Sequence, residues 1–333
     1  MKALSSLVRR REFLLAVVIA VLMLLVGLRA PVFLNPANLA DVLNDTAILF
    51  ILVLGQMLVI LTRNIDLSVA ANLALTGMIV ALLSTVMPGL PVIFTLLLAM
   101  LIGLVLGAVN GVLVWKVGVP SIVVTLGTLS IYRGLIFVIS GGEWVNANEM
   151  GAGFLAFPRL ELLGLSALFW LAVAVAAAVW LMLNYTQFGR EIYAAGGNPN
   201  AAVYAGIDVG RIQFYVFCLS GTLAGLCGYL WVARYAVAYV EIAQGFELQV
   251  IAACVIGDVS IAGGIGTVPG AILGALFLGI IKNALPIVGI SPFWQLGISG
   301  AVIIAAVVLN AQSEKRRGRL ILREARAKEE PAS

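Results

Sequence analysis

Apolar residues along this chain come in long blocks separated by short polar breaks, without the one-sided periodicity of surface helices. A helix needs about 20 mostly apolar residues to cross roughly 30 Å of hydrocarbon. On that measure ten spans are expected, near residues 13–30, 46–62, 67–87, 91–115, 119–140, 165–183, 213–233, 248–263, 267–289 and 293–310. The eighth is short and broken by glycine. The expected fold class is all-α, a polytopic membrane protein with about ten transmembrane helices. The first apolar run follows Arg9-Arg10-Arg11 and lacks a small-x-small cleavage site before Pro31, so it reads as a retained span.

One stretch between apolar runs behaves differently. Residues 194–210 read AAGGNPNAAVYAGIDVG and carry the start and stop signals of a short water-exposed helix. Asn198 suits the N-cap, and Pro199 falls at the first helical position, where a missing N–H costs nothing. Asn200 to Ala205 form the body, and Gly206 supplies the left-handed residue that ends it.

Composition fixes the solvent. Of 333 residues, 62% are hydrophobic and 11% charged, with a mean hydropathy of +1.11. Soluble domains carry about 25% charged residues, so the surplus apolar surface must face lipid. The net charge of +4 follows topology rather than nucleic-acid binding. Fifteen of the 20 Lys and Arg fall on one side if the N-terminus is cytoplasmic: Lys2, Arg9, Arg10, Arg11, Arg63, Lys116, Arg190, Arg211 and seven after Asn310. Both termini are then cytoplasmic. The chain divides into an N-terminal segment 1–12, a transmembrane domain 13–310 and a basic tail 311–333. The loop 184–212, which holds the short helix, faces the cytoplasm.

Several chemistries are absent. Without His there is no imidazole metal site and no His-activated nucleophile. Cys218, Cys227 and Cys254 lack C-x-x-C spacing and read as small core residues. No catalytic residue and no metal site is assigned. Glycines at every fourth position, Gly103, Gly107 and Gly111 and then Gly266, Gly270 and Gly274, read as close helix contacts within the chain. Polar groups at membrane depth are costly and tend to face a bundle interior or a watery path. Asn110, Thr125, Thr128, Arg133 and Asn283 are the candidates for a translocation path, Arg133 also reading as a cation that pins a helix. Asp66, in NIDLSV, is placed at a helix cap or cytoplasmic mouth, as is Asp258 in DVSIAGGIGTVPG, a stretch that faintly echoes IDLSVAANLALTG.

No G-x-x-x-x-G-K-[ST] motif is present, so the chain cannot hydrolyse ATP through a P-loop of its own. Ten spans around a few neutral polar groups suit a path for an uncharged polar solute. Active transport would then draw on an ion gradient or on another subunit. A secondary transporter working without an ATPase is the alternative reading. An intramembrane enzyme would need a base or nucleophile cluster that the sequence does not offer.

From about residue 40 to 310 the chain resembles the permease subunits of bacterial ATP-binding-cassette importers for monosaccharides, of the ribose, xylose, arabinose and rhamnose type. The matching stretches are TRNIDLSV (62–69), VPSIVVTLGTLSIYRG (119–134), GREIYAAGGNPNAAVYAGI (189–207) and VIGDVSIAGGIGTVPGAILGAL (255–276). The resemblance implies that Gly197, Asn198, Pro199, Ala201, Ala202 and Gly206 belong to a coupling helix seated in a groove of the ATPase. It implies no cofactor on this chain and ATP-Mg in the partner. The implied partners are one or more cassette ATPase subunits, a periplasmic sugar-binding protein and a second permease, in the bacterial inner membrane. The family often has Gly-Gly where this chain has Arg63-Asn64 and where it has Gly257-Asp258. The Arg-Asn variant, with YRG and GGEW, is similar to the rhamnose and autoinducer-2 branches, and AANLALTGM leans towards L-rhamnose.

Overall fold

A computed structural model describes residues 11–291 together with 294, 297, 300, 301 and 304. Twelve α-helices run through residues 11–291: α1 (Arg11–Arg29), α2 (Pro36–Leu61), α3 (Val69–Val86), α4 (Val92–Val112), α5 (Ser121–Ser140), α6 (Ala152–Ala156), α7 (Ala167–Tyr185), α8 (Gln187–Gly197), α9 (Pro199–Tyr204), α10 (Val209–Tyr235), α11 (Phe246–Ile256) and α12 (Val268–Ile287). A π-turn over Leu113–Val117 extends α4. Eight of the described helices are long and apolar enough to cross a bilayer, which bears out the all-α polytopic fold. The most apolar windows of α2, α3 and α10 are 83%, 72% and 72% buried, against 11% for α1. These three helices form the core, and α1 lies at its edge.

Backbone-to-backbone approach through glycine holds this core together. A Cβ on Gly103 or Gly107 of α4 would collide with the carbonyl of Gly221 or Phe217 of α10. On α10, Gly225 meets α4 at Ala99, and Gly228 meets α3 at Leu73 and Gly77. In lipid there is little hydrophobic drive between helices, so such close van der Waals contact carries the association. Both predicted glycine stripes thus pack within the chain; Gly274 of the second sits against Ala253 of α11, and Gly270 against Gly257, the residue that follows α11. The partner stripe Gly221-Gly225-Gly228 lacks the strict four-residue repeat, and its role emerges only from the fold.

Two expected spans differ from the helices observed. The span at 46–62 begins ten residues earlier, at Pro36, where the Asn35 side chain accepts from Ala37 N–H (3.2 Å). The eighth expected span is corrected: α11 has only 11 residues. At 1.5 Å per residue that is roughly 16 Å, about half the hydrocarbon thickness. It ends at Gly257, after which Asp258 takes a left-handed φ of 63° and Asp258 N–H and Val259 N–H donate back to Val255 and Cys254 carbonyls (3.1 and 3.0 Å). Asp258 is therefore a helix-ending residue, while the N-cap of α12 is Thr267, whose side chain accepts from Gly270 N–H (3.1 Å).

The chain nevertheless continues along the crossing. Cys254 lies beside Val53 of α2, and Gly264 N–H donates to Leu61 at the end of α2 (2.9 Å). From there α12 climbs back, so that Asn283 accepts from Asn38 near the start of α2 (3.3 Å). The tenth expected span, 293–310, lies almost wholly outside the described residues.

On the predicted outer side, β1 (Val145–Asn146) pairs antiparallel with a strand at Val237–Ala238, which joins the two long loops. On the predicted inner side Thr267 donates to Glu12 (2.5 Å), so α1 and α12 start at the same face. Gly107→Val should lower the detergent melting temperature markedly, because overpacking a backbone contact costs about 1–3 kcal/mol or more. Gly127→Val, where a Cβ meets nothing within 4 Å, should leave it unchanged; a fluorescence-detected size-exclusion melt compares them.

Candidate functional site

Two polar assemblies stand out, one at the helix ends predicted to be cytoplasmic and one in the core beside it. The first is built around the loop 184–212. Thr186 caps α8 by accepting from Gly189 N–H (3.1 Å), and α8 buries Ile192, Ala195 and Gly196 at helical spacing. This helix is a finding of the fold, since residues 187–197 read as loop in the sequence. Asn198 then caps α9 by accepting from Ala201 N–H (3.1 Å), with Pro199 at the first position, as expected. Gly206, at φ 84°, ends α9: its N–H donates to Val203 and that of Ile207 to Ala202 (both 3.0 Å). This pair of hydrogen bonds around a left-handed residue makes a Schellman closure.

The predicted coupling residues divide by exposure. Ala202 is buried against the rest of the chain, whereas Gly197, Asn198, Ala201 and Gly206 are exposed and Pro199 is partly so. The outermost apolar side chains of α9 are Val203 and Tyr204, 60% and 93% exposed, and no local sequence signal marks either.

Three segments meet beneath this loop. Arg63 follows the end of α2 and adopts a left-handed φ of 64°. Its Nε donates to Gly196 O (2.5 Å) and its Nη2 to Gly197 O (2.9 Å). These are among the last carbonyls of α8, which have no partner within their own helix. Tyr193 of α8 donates through its hydroxyl to Gly266 O (2.8 Å), and Gly264 N–H holds Leu61 O. Gly196 approaches so closely that a Cβ there would collide with the Leu61 carbonyl. Thus the end of α2, the loop 257–267 and the α8–α9 corner form one junction.

The second assembly starts in the same loop as Arg63. Asp66 accepts from Ser68 N–H (2.8 Å) and Ser68 Oγ (2.7 Å). With its amide nitrogen turned towards the carbonyl, Gln56 donates to Asp66 O (3.1 Å) and accepts from Asp66 N–H (3.2 Å). Asn110 donates to Ser68 Oγ (2.8 Å) and accepts from Thr128 Oγ1 (2.7 Å). Thr125 donates to Ser121 O (2.8 Å) and Ile65 O (3.3 Å).

All of these side chains are buried. Asp66 is therefore neither an exposed mouth residue nor the side-chain N-cap of α3, where Ser68 holds the cap position. Burial pushes its carboxyl above the ordinary value, opposed by the Ser68 hydroxyl and N–H.

Three of the five expected path residues, Asn110, Thr125 and Thr128, thus join α3, α4 and α5 in a mutually satisfied knot. The other two lie elsewhere. Arg133 Nη1 donates to Ile242 O (2.6 Å) and Val240 O (3.4 Å), pinning the outer loop. Asn283 lines an outer cavity of about 450 Å³ with Asn38, Asp45, Gln249, Trp231 and Tyr235.

Residues 38–307 match the family model described as the permease component of a branched-chain amino acid transport system. The chain belongs to this permease family. The ribose import permease RbsC of Escherichia coli strain K12 is 37% identical over 300 residues, which cover 90% of this permease and 93% of that protein. The Bacillus subtilis ribose import permease is 36% identical over 290 residues, 87% and 89% of the two chains. The autoinducer 2 import permease LsrC of E. coli is 34% identical over 309 residues, 93% and 89%. No solved structure matches. Ribose and autoinducer 2 are the solutes named, so the lean towards L-rhamnose has no support from these relatives. The permease match takes in both assemblies and leaves α1 outside.

Asn110→Ala should lower the melting temperature, because it removes the donor to Ser68 Oγ and an acceptor of the Thr128 hydroxyl, two hydrogen bonds worth about 0.5–1.5 kcal/mol each. Paired with Thr128→Val its effect should be less than additive. A weakened apparent affinity for solute with an unchanged melt would instead make Asn110 a path residue.

A carboxyl whose pKa is raised on folding favours the fold most at low pH and progressively less as pH rises through the raised value. Asp66→Asn should flatten that fall in a melt series across pH, while retaining an oxygen for Ser68.

Proposed function

We propose that this chain is the membrane-spanning subunit of an importer for a small neutral polyol, a monosaccharide or a compound of similar polarity, driven by a separate cassette ATPase that docks on α9. The observation that carries this reading is the exposure of Val203 and Tyr204 on a short helix capped at both ends. Apolar side chains facing water on a rigid element mark a surface awaiting a partner. The capped ends and the junction beneath fix its orientation, so force applied there reaches the core rather than bending a loop. In this reading Gly197, Asn198, Pro199, Ala201 and Gly206 shape the coupling element, and Ala202 seats it. ATP-Mg is bound by the partner, solute arrives from a periplasmic binding protein, a second permease completes the path, and the complex lies in the bacterial inner membrane. The relatives named for ribose and autoinducer 2 support the solute class.

The test is gentle extraction from native membranes and identification of what accompanies the chain. A cassette ATPase should copurify with the wild type and be lost from Tyr204→Asp at normal expression. Gly206→Val, which forces a β-branched residue into a left-handed conformation, should insert normally and transport poorly. A chain that purifies alone and moves solute in vesicles without ATP is a secondary transporter, and the proposal fails. Uptake of ribose, autoinducer 2 and rhamnose by the intact system then identifies the solute.

A further inference from the structure

Arg63 occupies a backbone position that suits glycine and disfavours most other residues. It follows the Thr62 cap of α2, at φ 64°, and its N–H and that of Asn64 close the helix onto Ile60 and Val59 carbonyls (2.9 and 3.2 Å). A side chain in this conformation is strained relative to glycine, which fits it at no steric cost. The Arg63 side chain is engaged in compensation: its fork spans two consecutive carbonyls at the C-terminal end of α8. Pro199 has no N–H to offer that end, and the negative pole of a helix favours a cation. Arg63 therefore caps α8 from another segment, 133 residues away for Gly196. Gly263, itself left-handed at φ 86°, leaves room for the Arg63 stem, because a Cβ there would collide with Arg63 Cγ.

The loop that carries Arg63 is locked at both ends. Asn64 donates to Thr62 O (3.0 Å), and Gln213 of α10 donates to the same carbonyl (3.3 Å). Three residues beyond Arg63, Asp66 is clamped by Gln56 and opens the hydrogen-bonded chain through Ser68 and Asn110 to Thr128. A displacement of the α8–α9 corner thus has a route through Arg63, three residues of backbone and the hydrogen bonds that start at Asp66 into α3, α4 and α5, separate from the covalent links through α7 and α10.

We propose that Arg63 is a positioning residue for energy coupling: it latches the ATPase-docking corner to the buried polar knot, so that movement of α9 is delivered to the core helices. This rests on the docking role proposed above. The carbonyl fork, the left-handed backbone and the fitted Gly263 carry the inference.

The experiment uses the complete transporter with its ATPase and binding protein in proteoliposomes, measuring solute taken up per ATP hydrolysed. Arg63→Gly relieves the backbone strain and removes the latch. Arg63→Asn is a second variant whose side chain tolerates the left-handed region but is too short for both carbonyls. Arg63→Lys keeps the charge and can satisfy one carbonyl well.

The latch predicts that Gly and Asn variants express normally and retain the ATPase, yet deliver about tenfold less solute per ATP, within the range typical of coupling between sites. Lys should fall between them and the wild type. Unchanged solute per ATP in both Gly and Asn variants, with the ATPase still bound, overturns the latch and leaves the docking reading intact. A wild-type chain that binds no ATPase overturns both.

Discussion

A helix that ends beside a bilayer must give its last carbonyls to some donor, since neither lipid nor the next turn supplies one. At the end of α2 that requirement organises one face of the bundle. Val59 and Ile60 are closed by the chain itself through Asn64 and Arg63, and Leu61 is taken by Gly264 from a loop about two hundred residues later. The end of α8 raises the same requirement, and Arg63 meets it. Each orphaned end draws in a distant segment, and where the segments converge, little space remains for anything but glycine: Gly196, Gly263 and Gly264 are all confined by backbone or side-chain atoms.

The same constraint accounts for the knot beside it. An amide or hydroxyl in a low-dielectric core is costly when alone and useful when paired. Asn110, Thr128 and Ser68 are paired with one another, and Thr125 with backbone carbonyls. Depth and polarity alone therefore do not separate a residue that faces a path from one that ties helices together. The knot uses the polar groups to fix the register of α3, α4 and α5, while the glycine contacts of α10 with α3 and α4 fix the distances.

Local signals in the sequence account for much of this architecture. Span positions follow from bilayer thickness, and the caps of α9 follow from Asn198, Pro199 and Gly206. The close packing of Gly103 and Gly107 follows from their spacing. Features that the sequence hides depend on contacts across the chain or on backbone conformation. Residues 248–263 look continuous in hydropathy, and only the left-handed turn at Asp258 shows that α11 stops short. The faint echo between the two Asp-x-Ser stretches does not correspond to matching positions in the fold. The structural counterpart of Asp258 is Arg63, since both are non-glycine left-handed residues closing a Schellman motif, whereas Asp66 lies three residues further on. Nothing local to Arg63 points to α8, and the exposure of Val203 and Tyr204 is a property of the fold.

If Arg63 is a latch, the docking corner and the loop after α2 move as one body. Electron cryomicroscopy of the intact transporter, without nucleotide and with a non-hydrolysable ATP analogue, tests this directly. Arg63 should stay within hydrogen-bond distance of the Gly196 and Gly197 carbonyls in both states, with α8, α9 and residues 62–68 displaced together. A corner that shifts with the ATPase while Arg63 and the end of α2 stay behind would contradict it.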